Sequence, residues 1–541
     1  MKAAGSQRFV LFVLAVYGVV SAAGLYHHEL FLDEAHHFLV SRDSGSLADM
    51  YRNLRYDGHP RLWGALLFLV THYVTVSPAG MQVLQWLFAM TTAFVLLQYG
   101  PFDRWTKLLI LAGYYFIYEF DVLSRDYAIG IWMLFLCCHL LRRVEKHAVW
   151  IGCIAFLMCN AHLFFAFAAG AILVYLLAAG FWVGSVVPGG SSGSRPTKAG
   201  RRLRARYAAM MVLIVLGLAA ALIQEQTPAD DVNMAAVHPA GWHTWKNVSF
   251  AMNGLVQGWL PVPQVNGGRF WNTCWLTAGH LGPVLPVLLF VALFLFPACL
   301  LGKRWPALLF YYCCVGPLLV LLDVTHMGAN RYFGMVFVYF LAAAWLTADG
   351  TGLVLTRRSP AGDGQLGWGA GWRYCGHQLW WTAWTGILVV QVLVGGYAVG
   401  EDFRRPFSQS RNAADYLSSL RSAGLTVVVD GYTAGPMLCA YLGQKLYYLD
   451  IGAKGSFCVW RREFFPAPRP GIEAMLDRRP ELRQLGDFIL VSNRELGAGK
   501  APGLAAGYRL IPLKSFQHSI AGEDYFIYRV EPAGDAGHPL P

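Results

Sequence analysis

The chain has 541 residues, of which 56% are apolar and only 14% charged, with a net charge of +11. A soluble domain carries about 25% charged residues, so this composition, with a mean hydropathy of +0.42, excludes a string of ordinary water-soluble domains. The positive charge does not point to nucleic acid either. The basic residues cluster in short loops between apolar blocks of about 17–22 residues, the length that crosses a bilayer core.

In chain order, Lys2 and Arg8 precede the first apolar run, Phe9 to Leu25. Ser21-Ala22-Ala23 near its end resembles a signal-peptide cleavage region, but the length of the run and the acidic residues after it favour an uncleaved helix. Asp33-Glu34 then stands at the mouth of a hydrophobic segment, where ionisable groups are costly and are functional candidates by default. They could also serve as a helix N-terminal charge pair. If residues 33–44 are helical, Asp33, His37, Val40 and Ser44 share a face, while Arg42 is about half a revolution away at ~100° per residue. Arg125 or Arg331 therefore suits a phosphate near Asp33 better than Arg42 does. His36 and His37 with Asp33 raise a divalent metal, but adjacent helical residues point different ways, and no convincing ligand set emerges. The cofactor requirement stays open.

Asp57-Gly58-His59-Pro60 closes the first polar stretch. The next apolar run, Leu62–Val76, is interrupted by His72 and ends at Ser77-Pro78. If it spans, the basic loops at Arg104 to Lys107, at Arg142-Arg143 with Lys146, and from Arg195 to Arg206 fall outside. If it lies along the interface or re-enters, all of them fall inside together with Lys303-Arg304, as the positive-inside rule requires. The second topology predicts about eleven membrane helices, at 9–26, 80–99, 107–118, 127–141, 148–162, 164–184, 207–224, 283–301, 306–322, 332–348 and 379–399. Gly/Ser-rich linkers are expected at 185–200 and 359–371. Domain division is expected at about residue 400, with 1–400 in the membrane and 401–541 external.

The tail alternates strands and helices: strands at Leu425–Asp430, Leu446–Asp450, Asp487–Ser492, Tyr508–Leu513 and Tyr525–Val530, and helices at Asn412–Ala423, Pro436–Leu442 and Ile472–Leu485. This pattern predicts a small α/β domain. Among eleven cysteines, Cys137-Cys138 and Cys313-Cys314 sit in apolar blocks as small hydrophobes. Cys439 and Cys458 are the candidate disulfide, which needs an oxidising compartment. Trp242, Trp245, Trp259, Trp271 and Trp275 suit an interfacial belt, with sugar stacking as an alternative for one or two of them.

In this topology the unusual polar residues gather on one side. Asp33 and Glu34 open the first external loop, Glu119, Asp121 and Arg125 occupy the second, and Asp323, His326, Asn330 and Arg331 the third short one. Carboxylates supply a general base, and the planar fork of an arginine matches a phosphate.

The block Asp33-Glu34-Ala35-His36-His37-Phe38-Leu39-Val40-Ser41-Arg42 resembles the first-loop motif of GT-C glycosyltransferases, and within them the group of protein O-mannosyltransferases and lipid A aminoarabinose transferases. His59-Pro60 resembles the element before the juxtamembrane helix, with Arg61 where a second proline is usual. Ser124-Arg125-Asp126-Tyr127-Ala128 and His326 to Arg331 resemble later loop elements. The resemblance implies a polytopic α-helical membrane protein with juxtamembrane helices and a soluble α/β domain. It implies transfer of a sugar from a polyprenyl-phosphate donor to a lipid, glycan or protein acceptor by an inverting single displacement. Asp33 would be the base and Glu34 its support, with Glu119, Asp121, Arg125, His326, Arg331, Arg42 and His59 binding substrate. A bacterial inner-membrane protein with a periplasmic tail is expected. A transporter or flippase, and a non-catalytic scaffold whose tail recruits a partner, are the alternative classes. The first would place charged residues on both sides of the membrane midplane.

Overall fold

The computed structural model describes residues 2–179, 198–232, 244–265, 270–280, 282–302, 304–347, 368–421, 425–465, 468–496 and 508–532. Of the expected linkers, 185–197 and 359–367 lie outside the described residues, as does Trp242, while 198–200 and 368–371 begin helices. Among the described residues six helices are long and apolar enough to cross a membrane: Gln7–His27, Ala79–Tyr99, Gly200–Gln224, Val284–Leu301, Trp305–Thr325 and Gln378–Arg404. Shorter apolar helices pack among them, including Tyr127–Leu141 and Leu163–Ala178.

Helix α1 (Lys2–His27) is built into the bundle: Gln82 and Trp86 of a neighbouring span donate to the Leu25 and Gly18 carbonyls at 2.8 and 3.0 Å. Helix α2 (Leu32–Asp43) carries the first-loop motif, and α3 (Leu47–Asn53) follows it. Helix α4 (Leu62–Tyr73) has only 12 residues, about 18 Å at 1.5 Å per residue, too short for a ~30 Å core. It packs along α2, where Ser41 Oγ donates to the Gly64 carbonyl at 3.1 Å. Helix α5 (Ala79–Tyr99) then crosses.

The span expected at 107–118 is two pieces. Helix α6 (Arg104–Ala112) stops at Gly113, which takes an extended conformation (ψ 153°), and a wide π-type turn over Tyr115–Glu119 follows. Glycine is a poor helix former, and the break delivers Glu119 and Asp121 into the bundle.

Helices α7 (Tyr127–Leu141), α8 (Val144–Cys159), α9 (Leu163–Ala178) and α10 (Lys198–Gln224) continue the bundle. Lipid offers no hydrophobic drive between helices, so close approach matters. A Cβ on Gly217 of α10 would lie 2.8 Å from the Phe156 Cα, and one on Gly152 of α8 2.9 Å from the Met210 Cα. Arg206 donates to the Lys146 carbonyl at one end of this pair. At the other end Gln224 donates to the Ala220 carbonyl at 3.1 Å and contacts Asn160. The basic residues at the starts of α8 and α10 thus lie at the end opposite Asn160 and Glu225. Helices α11 (Trp245–Trp259), α12 (Val284–Leu301), α13 (Trp305–Thr325), α14 (Met335–Leu346) and α15 (Trp368–Arg404) follow, with one turn at Asn330–Phe333 before α14.

After α16 (Ser410–Arg421) the tail forms a six-stranded sheet in the order β3-β2-β1-β4-β6-β5. Strand β1 (Thr426–Asp430) is parallel to β2 (Leu446–Tyr448) and β4 (Phe488–Ser492), with Val428 opposite both Tyr447 and Leu490. Strand β3 (Ala453–Gly455) is an antiparallel edge on β2, and β6 (Tyr525–Pro532) runs antiparallel between β4 and the edge strand β5 (Tyr508–Phe516). The period of two divides β1 and β4 between two cores. Val427, Val429, Ile489 and Val491 face a core shared with Phe38 and Leu39 of α2 and Trp63 of α4, while Val428, Phe488 and Leu490 face Met475, Leu476 and Leu482. The tail is therefore packed onto the juxtamembrane helices through one of its own cores.

Two tail expectations need correction. The helix expected over Ile472–Leu485 ends at Asp477, and a 3₁₀ segment occupies Pro480–Leu485, because Pro480 lacks the N–H that would continue the helix. Cys439 and Cys458 are not bonded. Cys439 Sγ lies 3.7 Å from the Gly455 carbonyl and Cys458 Sγ 3.0 Å from the Tyr432 carbonyl, so each thiol has its own acceptor.

Candidate active site at the membrane interface

A cavity of about 260 Å³ opens where α2, the turn at Asp57–His59, the loop before α7, the α8–α9 turn and the end of α13 meet. That is near the lower end of small-molecule sites, roughly 300 Å³. Asp33, His36, His37, Asp57, His59, Arg125, His162, Glu225, Arg331, Tyr332 and Trp460 supply most of its functional groups.

Asp33 stands in the first turn of α2. Its Oδ2 accepts from Arg331 Nη2 at 2.7 Å and lies 3.9 Å from Arg125 Nη1. Arg125 Nη1 also donates to the Asp33 carbonyl at 2.9 Å, fixing the start of α2 against the second loop. The Asp33 side chain keeps 33% of its surface exposed, while those of the two arginines keep 6% and 10%. The carboxylate is thus the accessible member of the trio, and its Oδ1 has no hydrogen-bond partner among the described residues. Burial works to raise the Asp33 carboxyl, but Arg125 and Arg331 outweigh it and hold the group below its ordinary value.

Arg331 is clamped by rings. Its guanidinium lies 5.8 Å from the centroids of Phe31 and Trp271 and 5.3 Å from that of Tyr332. Its Nε and Nη1, and Arg125 Nε, are buried with no hydrogen-bond partner. Arg125 Nε has Asp126 Oδ1 at 4.0 Å; buried charged donors without hydrogen bonds are expensive, and the Arg331 nitrogens beside Asp33 have room in their chemistry for an anionic acceptor.

Glu34 points away from the cavity and is fully buried. Its Oε2 meets His28 Nε2 at 3.0 Å and accepts from the Phe31 amide at 3.2 Å, and its Oε1 accepts from the Ser124 amide. His28 Nδ1 reaches Asp402 Oδ2 at 3.1 Å. Burial opposes a charged His28, yet Glu34 and Asp402 on either side raise its pKa to about 10. This carboxylate–imidazolium–carboxylate bridge ties the ends of α1 and α15 to α2 and the Arg125 loop, so Glu34 positions the site without lining it.

The neighbouring histidines do converge. His36 Nε2 lies 3.0 Å from Asp57 Oδ1, and His37 Nε2 lies 3.7 Å from Asp57 Oδ2. Burial, and then the charge of Arg125, depress His37 well below its ordinary value; burial also depresses His59. Among the described residues no group of three or more His, Cys, Asp or Glu is arranged to hold a metal ion.

Four other expected residues lie outside the cavity lining. Arg42 is on the far side of α2, as its half-turn offset requires, and pairs with Asp43 at 2.7 Å. Asp121 is sequestered in the bundle, accepting from Ser21 Oγ at 2.6 Å. Glu119 stands behind Arg331, taking bonds from Tyr114 at 2.6 Å and Trp271 Nε1 at 3.1 Å. His326 ends α13 in a left-handed conformation (φ 50°) and packs its ring 4.3 Å from Phe250.

Glu225, His162 and Trp460 line the cavity without having been singled out in the sequence. Glu225 follows the last residue of α10, and its Oε1 is buried and unpartnered. Burial pushes its carboxyl up to about 8, with Asp126 adding to the shift and Arg61 opposing it. Between the unfolded value of about 4.3 and about 8, the folded state holds a proton that the unfolded state has lost. Stability attributable to this group therefore falls as pH rises through that window. Glu225→Gln, which mimics the protonated form, should be more stable than wild type at pH 8 by about 1–3 kcal/mol, the range allowing for a residue that is only partly buried. The gap should close below about pH 4. Equal melting temperatures at pH 8 would show that Glu225 is not held neutral.

The architecture is that of a polytopic α-helical membrane protein with shorter helices packed beside its long apolar ones and a C-terminal α/β domain. No family model and no curated protein matches the sequence. Among solved structures, ArnT from Cupriavidus metallidurans in the apo state matches with a TM-score of 0.53 at 14% identity, covering 99% of this chain and 100% of that one. ArnT from the same organism bound to undecaprenyl phosphate gives a TM-score of 0.46 at 12% identity over the same shares. At such identity the likeness is one of fold, and the apo structure carries it.

Proposed function

We propose that the protein is a membrane glycosyltransferase that moves a sugar from a polyprenyl-phosphate donor to an acceptor hydroxyl at the external face, with inversion at the anomeric carbon. The observation that carries this reading is the Asp33 carboxylate, one oxygen held by Arg331 and the other unpaired, in an interfacial cavity with unmatched arginine donors. The GT-C fold and the first-loop motif support it.

Asp33 Oδ1 takes the acceptor hydroxyl proton as the acceptor oxygen bonds to the anomeric carbon. The bond from that carbon to the phosphate oxygen breaks, and the electron pair leaves with the polyprenyl phosphate. A phosphate needs no protonation to depart, only positive charge placed where it develops, and Arg125 and Arg331 supply it. As the phosphate draws on the arginines, Asp33 loses part of their stabilisation and becomes a better base when needed. The basic ends of α8 and α10 lie opposite the cavity, which supports cytoplasmic basic loops and an external site. The tail then belongs to the periplasm of a bacterial inner-membrane protein, with 1–400 as the membrane domain and 401–541 as the external one.

The test supplies purified protein in nanodiscs with radiolabelled polyprenyl-phosphate sugars and lipid, glycan and peptide acceptors. Transfer with inverted anomeric configuration is expected. A product of retained configuration would overturn the single displacement. Movement of the lipid across the bilayer without any covalent product would overturn the enzyme reading in favour of a flippase.

A further inference from the structure

Trp460 belongs to the tail, yet it lines the same cavity as Asp33 and Arg331. Its indole is backed on one face by Phe465, with ring centroids 5.3 Å apart and planes at 17°, and His36 stands beside it at 6.2 Å. The residue is only half-buried, and its ring N–H donates to no described residue.

The segment that carries it is pinned to the membrane part. The Val232 amide donates to the Trp460 carbonyl and the Arg462 amide to the Asp230 carbonyl, each at 2.8 Å, and Asp231 and Arg461 form an antiparallel bridge. Arg461 Nε donates to Tyr56 Oη at 3.0 Å, and Tyr56 donates to Asp230 at 3.2 Å. The loop that receives this strap begins at Glu225, another residue of the cavity wall. The tail therefore closes one side of the site through a fixed aromatic ring.

We propose that Trp460 is the platform on which the sugar ring of the donor stacks, while Arg125 and Arg331 hold its phosphate. This inference rests on the glycosyltransferase reading. A sugar presents an apolar face of C–H groups and a rim of hydroxyls. A rigid indole with a free N–H matches both, offering apolar area to the first and a donor to the second. A residue that served only to pack the tail against the membrane part would turn its ring into that interface and away from the cavity. The ring would also select among sugars, because the C–H groups of a pyranose line up on one face only for some arrangements of its hydroxyls.

The test measures binding to the full chain in nanodiscs of two probes: bare undecaprenyl phosphate, and undecaprenyl phosphate bearing glucose or arabinose. Trp460→Ala should weaken binding of at least one sugar-bearing lipid about five- to tenfold, the scale of one aromatic contact, and leave the bare lipid unchanged. Trp460→Phe, which preserves the packing on Phe465, should retain most of the affinity. In transfer assays the donor KM should rise with kcat little changed. Equal binding of all three lipids by wild type and Trp460→Ala would overturn the inference, as would a parallel loss for bare and sugar-bearing lipids, or a rise confined to the acceptor KM. Should Trp460→Ala fail to fold, Trp460→Phe and Trp460→Leu decide, since only the first keeps an aromatic face. Failure of wild type to bind even the bare lipid would instead remove the glycosyltransferase reading beneath it.

Discussion

Replacing Asp33 by Asn should lower kcat for sugar transfer by about 10²- to 10⁴-fold, the usual contribution of a positioned general base. The amide is the same size and still accepts from Arg331, so the cavity keeps its shape, but it cannot take a proton. Bare polyprenyl phosphate should bind to Asp33→Asn at least as well as to wild type, since the arginines lose a competing anion. The two measurements together separate lost chemistry from lost binding. The pH dependence has a defined sign. Because Arg125 and Arg331 hold Asp33 below its ordinary value, the acid limb of kcat/KM that belongs to this group lies below about pH 4. The stability it contributes is present above its unfolded value of about 3.9 and is lost as pH falls through the lower folded one. A neutral-range limb would have to come from another group. Transfer by Asp33→Asn at the wild-type rate would remove Asp33 from the role of base.

Much of the architecture is legible because two physical signals are strong. Long apolar runs announce the membrane helices, and the tally of basic loops argues that Leu62–Val76 does not span, in keeping with the 12-residue α4. Buried β-branched runs announce β1 and β4 of the tail. What fails is local: the break at Gly113 and the stop at Pro480 depend on single residues inside otherwise helical patterns, and the Cys439–Cys458 pairing ignored nearby carbonyls that satisfy each thiol. The cavity gathers Asp33, His59, Arg125 and Arg331, all from motif-bearing loops that flank apolar runs. Asp121 and His326 come from the same loops, yet burial in the bundle and a left-handed helix end turn them elsewhere. Glu225 was within reach, since a lone carboxylate directly after a span invites the same argument as Asp33-Glu34. Trp460 was not, because one aromatic residue in a distant loop has no periodicity to betray which wall it will join.

Arg331→Met should weaken binding of polyprenyl phosphate by about ten- to a hundredfold, in line with about 1.5–3 kcal/mol for a charge-assisted hydrogen bond. Arg331→Lys should recover only a small part of this. Lysine keeps the charge, but its point-like ammonium lacks the planar fork that carries the unpartnered Nε and Nη1, and it fits poorly among Phe31, Trp271 and Tyr332. A purely structural role for Arg331 would also reduce binding if the site collapsed, so the deciding readout is pH. With Arg331 gone, burial acts on Asp33 against Arg125 and the smaller contributions of His36 and His59, and the carboxyl moves up. The acid limb of kcat/KM should therefore shift to higher pH in Arg331→Met, and the variant should lose relative activity first in mildly acidic buffer. A uniform drop in kcat/KM at every pH, with no movement of that limb, would mean that Arg331 does not set the charge state of Asp33. It would leave the arginine as an anchor for the lipid phosphate and separate the two tasks that the 2.7 Å contact joins in one side chain.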